Sequence, residues 1–230
     1  MPRIGFDQEL RKLQDQILGL GSEVEENLVK VVDALRQRDV IQARRLIQAD
    51  VAINERRIQI GMGAMTLIAT QQPMARDMRT IAAVLEIVGE LERIHDYVKG
   101  IGKITLMLNE NGGPAGELLR NMPEMAQQTA RMLHKALTAF AERSADIARE
   151  VPRDDTIVDN LYKQVYREII DYVTHNPQEI ERANLLEWVA HNLERAADRT
   201  TNICEWVVYM IDGTYVEMDS EVEAPPELRP

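Results

Sequence analysis

An acidic motif occurs twice in this chain, and its residue types could bind a cation. Residues 91–96 read Leu-Glu-Arg-Ile-His-Asp, and residues 193–198, which lie 102 positions later, read Leu-Glu-Arg-Ala-Ala-Asp. The motif acids are Glu92, Asp96, Glu194 and Asp198. On a helix, each Glu and Asp would share one face, about 5.4 Å apart along the axis. Two like charges so close repel each other unless a positive charge lies between them.

A second pair of polar residues repeats with similar spacing and could face the motif acids. Asp50 and Asn54 stand four residues apart, and Asp155 and Asp159 reproduce the pair 105 positions later. Two helices that each present two oxygen-bearing side chains can enclose a hard cation such as iron, manganese or magnesium. In the competing interpretation, the arginines at positions 93, 195 and 199 form ordinary surface ion pairs with the acids. The residues alone leave both interpretations open.

Three further side chains are candidate ligands. His95 lies three residues after Glu92, the spacing that di-iron helical bundles use, so a di-iron carboxylate storage or oxidase protein is the alternative function. The second copy has Ala197 at this position, which excludes a symmetric histidine-liganded site. His191 and Asn202 lie close to the second motif in sequence. Two of them also have a simpler interpretation. His95 could be a core histidine held by one hydrogen bond, and Asn202 could be a polar residue on a solvent-exposed face.

The residues form no recognisable catalytic set, so we expect a protein that is not an enzyme. The chain lacks a glycine-rich phosphate loop, a Ser or Cys nucleophile with a nearby base, and a His-Glu-x-x-His zinc motif.

Its formal net charge of −11 argues against a nucleic-acid partner. With Cys204 as the only cysteine, a reducing cytoplasm is the expected compartment. No apolar run approaches the roughly 18 residues that cross a bilayer, so membrane association would require a partner.

The composition and periodicity predict an all-α fold. Aromatic residues make up 4% of the chain, and apolar residues recur every three or four positions through long runs rich in Ala, Leu, Met and Glu. The same order of three helices occurs before and after a glycine-rich segment, which predicts two tandem three-helix bundles, each able to close its own core. The predicted boundaries are 1–110 for the first bundle, 111–116 for a linker, 117–213 for the second bundle, and 214–230 for an acidic tail that we expect to be disordered.

Capping residues and prolines predict where individual helices begin. Asp39 is the expected N-cap of the second helix. Pro73 and Pro177 are expected in the opening turns of the third and sixth helices. The fifth helix is predicted to begin at Pro152, after a turn over residues 144–150.

An ordered set of short motifs runs through both halves. In chain order they are Leu20-Gly21, Val24-Glu25, Asp50, Gln72-Pro73, Leu91-Glu92-Arg93-Ile94, Asp96, Met132-Leu133-His134, Asp155, Leu193-Glu194-Arg195, Asp198 and Asn202-Ile203-Cys204-Glu205. This set resembles the PhoU family of phosphate-signalling regulators, over nearly the whole chain to about residue 213. Three positions depart from the family pattern: His95 replaces the usual glycine, Ala196-Ala197 replaces Ile-Gly, and Asn54 stands where a carboxylate is expected.

The resemblance implies a pair of three-helix bundles with multinuclear metal clusters, iron or zinc in some members. The expected metal is iron, with zinc, manganese or magnesium as the other candidates, and the expected ligands are Asp50, Glu92, Asp96, Asp155, Asp159, Glu194 and Asp198. Because of Asn54 and His95, the first site is expected to be the weaker one. The resemblance also implies a negative regulator of the phosphate-starvation response, which couples the ATPase subunit of a phosphate ABC transporter to a PhoR-type sensor histidine kinase and restrains phosphate uptake. A homodimer is the expected assembly.

Overall fold

The computed structural model describes residues 4–110, 112–113 and 115–218, and these ranges contain helices and no strand. The helices are α1 (Ile4–Gln37), α2 (Val40–Gln71), α3 (Ala75–Glu110), α4 (Met122–Glu142), α5 (Ala145–His175) and α6 (Ile180–Asp212). Short 3₁₀ turns at Gly116–Leu119 and Pro177–Glu179 precede α4 and α6. The predicted all-α class is therefore confirmed. None of these helices is long and apolar enough to span a membrane.

The six helices form two three-helix bundles packed side by side. Helices α1, α2 and α3 pack on one another, as do α4, α5 and α6, and the bundles meet where α3 lies along α6 and α1 lies along α4. One continuous apolar core runs through both bundles. Gly21 permits the close approach of α1 to α4, because a Cβ atom there would lie 2.6 Å from Leu137 Cδ1. The two copies therefore share one core in the folded chain.

Of two predicted helix starts, the one at Asp39 is confirmed and the one at Pro73 is wrong. Asp39 caps α2 as predicted, because its Oδ1 accepts hydrogen bonds from the backbone amides of Ile41 at 3.0 Å and Gln42 at 2.9 Å. Pro73, by contrast, precedes α3 rather than lying in its opening turn. Gln72 adopts a left-handed conformation with a φ of 45°. The chain is therefore still turning at Pro73, and the helix begins at Ala75.

The predicted turn over residues 144–150 is wrong, because α5 already begins at Ala145. The Ser144 hydroxyl accepts a hydrogen bond from the Ile147 amide at 3.3 Å, which caps the helix ahead of the proline. Pro152 lies inside α5, where its missing N–H leaves the carbonyl one turn earlier without its helical donor. Ala148 and Val151, both fully buried, hold this first part of α5 against the core. Burial thus outweighs the lost hydrogen bond.

The first residues of the predicted tail pack against α6 instead of leaving the protein. Buried Glu205 accepts hydrogen bonds from the Tyr215 hydroxyl at 2.6 Å and from the Met218 amide at 2.7 Å. The Tyr215 ring also lies against Trp206, with 4.9 Å between the ring centroids. Residues 214–218 therefore differ from the prediction of disorder. Residues 219–230 of the predicted tail lie outside the described residues.

Candidate functional site

The repeat brings two acidic clusters to equivalent places in the two bundles, each between the second and third helices of its bundle. The first acidic cluster consists of Asp50 and Asn54 on α2 with Glu92 and Asp96 on α3. The second acidic cluster consists of Asp155 and Asp159 on α5 with Glu194 and Asp198 on α6. The two clusters share their helix positions and differ in what surrounds the carboxylates.

In the first acidic cluster, a lysine occupies the space between the two aspartates. Lys99 donates hydrogen bonds to Asp50 Oδ2 at 2.6 Å and to Asp96 Oδ1 at 3.2 Å. These bonds, led by the one to Asp50, raise the pKa of Lys99 above its ordinary value. The ammonium group is therefore a built-in cation that offsets the repulsion between the two carboxylates.

His95 is bound on both ring nitrogens and is fully buried, with 0% of its surface exposed. Its Nδ1 lies 3.3 Å from Asp50 Oδ1, and its Nε2 lies 3.3 Å from the Asn27 side-chain nitrogen. Burial is the main reason that the pKa of His95 lies below its ordinary value, so the ring is neutral at physiological pH. A neutral ring that donates from Nδ1 and accepts at Nε2 satisfies both contacts and leaves no nitrogen for a metal. The geometry gives no support to a di-iron site built on Glu92 and His95.

The remaining members of the first acidic cluster also have cationic neighbours. Asn54, which is exposed, accepts a hydrogen bond from Arg57 Nε at 3.1 Å. Burial and the nearby Asp96 raise the pKa of Glu92, whereas Arg57 acts in the opposite direction. The first acidic cluster is therefore compensated by side chains of the protein itself.

The second acidic cluster is more deeply buried and has fewer positive neighbours. Asp155 is 5% exposed, and its Oδ1 has no hydrogen-bond donor among the described residues. Glu194 Oε2 is likewise buried without a donor there. The one ion pair within 4 Å that the structure shows for Asp198 joins it to Arg195, with 3.1 Å between the Arg195 Nη1 and Asp198 Oδ2 atoms. Unsatisfied buried carboxylate oxygens are costly, so this cluster calls for a proton or a cation.

The pKa values of three carboxyl groups in the second acidic cluster are raised, as expected for buried groups that have few positive neighbours. Burial, followed by repulsion from Asp159, Asp198 and Glu194, raises the pKa of Asp155 from 3.8 to about 7. Burial and Asp198 raise the pKa of Glu194 from 4.5 to about 7. Burial also raises the pKa of Asp198, against the opposing charge of Arg195. Near neutral pH, the cluster therefore holds protons that a metal ion would displace.

The donor set of the second acidic cluster fits a hard cation better than that of the first. Thr201, which lies 102 residues after Lys99, takes the sequence position of that lysine and brings no positive charge, and its hydroxyl oxygen is buried without a partner in the described part of the chain. Carboxylate and hydroxyl oxygens are ligands that iron, manganese and magnesium accept. Among the described residues, no three His, Cys, Asp or Glu side chains form a group that could hold a metal ion as they stand. Binding would therefore require rotation of the carboxylates toward one another.

The other two candidate ligands have different surroundings. His191 Nδ1 lies 3.7 Å from Glu194 Oε2, so this ring borders the second acidic cluster. Asn202 points away from it, because its side-chain nitrogen donates to Glu90 Oε2 at 3.4 Å across the contact between α3 and α6. Asn202 therefore belongs to the interface between the bundles rather than to the acidic cluster.

Glu90 is an interface residue that the motif alone did not reveal. It is 7% exposed and accepts contacts from Arg93 Nη1 at 3.4 Å and from Arg199 Nη1 at 3.5 Å. Of the three arginines that flank the motifs, Arg93 and Arg199 therefore pair with Glu90. The third, Arg195, pairs with a motif acid, Asp198. The available signal was the position of Glu90, which lies two residues before Glu92 and flanks the apolar arc of α3 on its other side.

Fold and clusters together define the class: an all-helical protein built from two tandem repeats, each with an acidic cluster between its second and third helices. The PhoU domain model matches the chain twice, over residues 17–105 and 122–207, once in each bundle. The chain therefore belongs to the PhoU domain family, and the resemblance seen in its motifs is confirmed.

Known relatives match over nearly their full length. A phosphate-specific transport system accessory protein PhoU homolog from Clostridium acetobutylicum is 32% identical over 220 residues, which cover 95% of this chain and 100% of the relative. A homolog from Pseudomonas aeruginosa is 32% identical over 225 residues, which cover 95% of this chain and 92% of the relative.

Solved structures agree in fold. The crystal structure of PhoU from Pseudomonas aeruginosa gives a TM-score of 0.86 at 32% identity and covers 91% of this chain and 100% of its own. The phosphate transport system regulatory protein PhoU from Streptococcus pneumoniae gives a TM-score of 0.84 at 32% identity, with coverage of 92% and 99%. The predicted arrangement of two tandem three-helix bundles is therefore confirmed.

Proposed function

We propose that this protein is an accessory regulator of a phosphate transport system that represses the phosphate-starvation response when phosphate is plentiful and restrains phosphate uptake. The supporting observation is that both bundles match the PhoU domain and that relatives described as phosphate-specific transport system accessory proteins align over nearly the whole chain. In this proposal it acts at the cytoplasmic face as an adaptor between the ATPase subunit of a phosphate ABC transporter and a PhoR-type sensor histidine kinase. It performs no chemistry of its own.

An exposed apolar stripe on α2 supports a role in protein contacts. Val51, Ile58, Met62 and Met65 are all exposed, and their spacing places them within an arc of about 60° on the helix. Exposed apolar patches of this kind mark interaction surfaces, and methionine adapts to partners of different shape. We assign this stripe to contact with a protein partner.

The second acidic cluster is the proposed metal site. Asp155, Asp159, Glu194 and Asp198 would hold the ion, with iron as the expected metal and manganese, zinc or magnesium as the other candidates. The support is the pair of buried carboxylate oxygens without donors on Asp155 and Glu194. A bound cation would supply the positive charge that ties α5 to α6. The first acidic cluster would bind metal more weakly, because Lys99 already supplies a positive charge there.

The regulatory proposal is tested by deletion of the gene, followed by measurement of phosphate-repressed phosphatase activity in phosphate-rich medium. We expect phosphatase activity to become constitutive in the deletion strain and to be repressed again when the wild-type gene is restored. Normal repression in the deletion strain would contradict the proposal.

Partner contact is tested with charge substitutions on α2. Met62→Glu together with Met65→Glu should weaken capture of the transporter ATPase subunit or of the sensor kinase domain in a purified pull-down. Gln59→Glu, an exposed position on the same helix outside the stripe, is the matched control. Equal capture by the wild type, the double variant and the control would remove the stripe from the proposal.

Light scattering on the same samples tests the proposed homodimer, whose mass should be twice the 26.2 kDa of one chain.

A further inference from the structure

An arginine-lined cleft lies at the end of the molecule where the beginning of α1 and the beginning of α3 meet the C-terminal end of α4. Its volume of about 550 Å³ lies within the range of small-molecule pockets. Arg11, Arg76 and Arg143 line it, together with Asp7 and Asp77. The walls therefore carry more positive than negative charge, in a chain whose formal net charge is −11.

Among the residues that the structure describes, the arginines of this cleft lack the carboxylate partners that some other arginines of the protein have. Arg149, for example, pairs with Asp212, and Arg182 pairs with Glu179. Arg11 and Arg76 make no ion pair with any residue that the structure describes, and the Arg143 hydrogen bond goes to a neutral hydroxyl, that of Thr80, at 3.2 Å.

The guanidinium groups also repel one another. Burial, followed by the nearby charge of Arg76, lowers the pKa of Arg143 below its ordinary value, whereas Asp77 acts in the opposite direction. Arg79, whose guanidinium group lies beside Gly213 at the end of α6, adds to this repulsion. An anion placed among Arg11, Arg76 and Arg143 would relieve this repulsion and supply the missing hydrogen-bond acceptors.

We propose that this cleft binds a phosphoryl group, carried either by inorganic phosphate or by a small phosphorylated molecule such as a nucleotide. Guanidinium groups match the oxygens of a phosphoryl group in planar, two-pronged hydrogen bonds. The cleft adjoins the N-terminal end of the 36-residue helix α3, and the helix dipole adds positive potential there. Leu10 and Met74 also line the cleft, and Asp7 can accept hydrogen bonds from hydroxyl groups, so an organic portion has a surface to contact. The site is separate from both acidic clusters and does not depend on the regulatory role.

The test is isothermal titration calorimetry of the full chain with sodium phosphate and with AMP, in EDTA and at constant ionic strength. The chelator keeps metal out of the acidic clusters, so the outcome is independent of the proposed metal site. Saturable binding of phosphate identifies free phosphate as a sufficient ligand. Binding of AMP at least roughly tenfold tighter than phosphate, with phosphate as a competitor, identifies an organic phosphate. Either result supports the proposal.

Substitutions locate the binding. Arg76→Gln and Arg143→Gln should each raise the dissociation constant by roughly tenfold, because each removes a charged hydrogen-bond donor. Arg44→Gln, at an exposed arginine on α2 far from the cleft lining, is the matched control and should bind as the wild type does. Should Arg143→Gln fail to fold, the exposed Arg11 provides a second variant, Arg11→Gln. The proposal is overturned if no saturation occurs up to about 10 mM ligand, if sodium acetate gives the same heats, or if Arg76→Gln and Arg11→Gln bind phosphate unchanged.

Discussion

Replacement of Asp155 by asparagine should make the metal-free protein less sensitive to alkaline pH. The pKa of Asp155 rises from 3.8 to about 7 on folding. The folded state therefore binds a proton that the unfolded state has already released, and the free energy of unfolding falls as pH rises between these two values. Below both pKa values the carboxyl group is protonated in both states and the loss is absent. Above about pH 7 the loss is complete.

The size of the effect follows from proton linkage. For this one carboxyl group, the free energy of unfolding should fall by about 2 to 3 kcal/mol between roughly pH 5 and pH 8. In a chain of this length that corresponds to a decrease of about 5 to 10 °C in the melting temperature. Glu194 adds a loss in the same direction, because its pKa is also raised to about 7. The asparagine of Asp155→Asn has no proton to release at this position, so the stability of the variant should decline less over the same pH range.

The assay is urea denaturation in EDTA at a series of pH values from about 5 to 8, with wild type and variant compared at each pH. Asp154→Asn is the matched control, because Asp154 is adjacent on α5 but lies 3.4 Å from Lys135 and is only partly buried. The control should keep the pH dependence of the wild type. Equal losses of stability between pH 5 and pH 8 in Asp155→Asn and in the wild type would show that Asp155 does not take up a proton on folding.

Three further substitutions test the packing and the difference between the repeats. Glu90→Ala should lower the free energy of unfolding by about 3 kcal/mol, because it leaves the largely buried Arg199 without its carboxylate; urea denaturation measures this. Gly21→Leu should destabilise the contact between α1 and α4 by about 1 to 3 kcal/mol, and Leu137→Ala in the same chain should recover part of the loss in melting temperature. Lys99→Thr, which copies the residue of the second repeat, should give the first acidic cluster a metal affinity that calorimetry detects in a chain whose second cluster is disabled.

The repeat and the pairing of acidic residues could be predicted from the sequence because helix geometry fixes them. Residues four apart share a face, and a motif that recurs after 102 residues places its acids at the same point of each bundle. The same local rules located the Asp39 cap. They failed at Pro152, because the first turns of α5 are held by tertiary contacts of Ala148 and Val151. No local pattern reports such contacts.

The difference between the two clusters could be predicted only in part. Asn54 marks the first cluster as the less acidic one, but the role of Lys99 depends on how α2 lies against α3, which brings Asp50 within reach. The burial of Asp155 and the contacts of Glu90 depend on packing between helices in the same way. The spacing of residues within one helix does not show which other helix packs against each of its faces.

A count of the metal bound by each acidic cluster tests most directly whether the second cluster is the principal metal site. Metal-free protein would be titrated with manganese and with ferrous iron under argon, and bound metal would be counted by elemental analysis. Glu194→Gln with Asp198→Asn should abolish the tightest binding, whereas Glu92→Gln with Asp96→Asn should leave it within about twofold of the wild type. Equal loss in both double variants, or wild-type binding in the first, would contradict the claim that the second acidic cluster is the principal metal site.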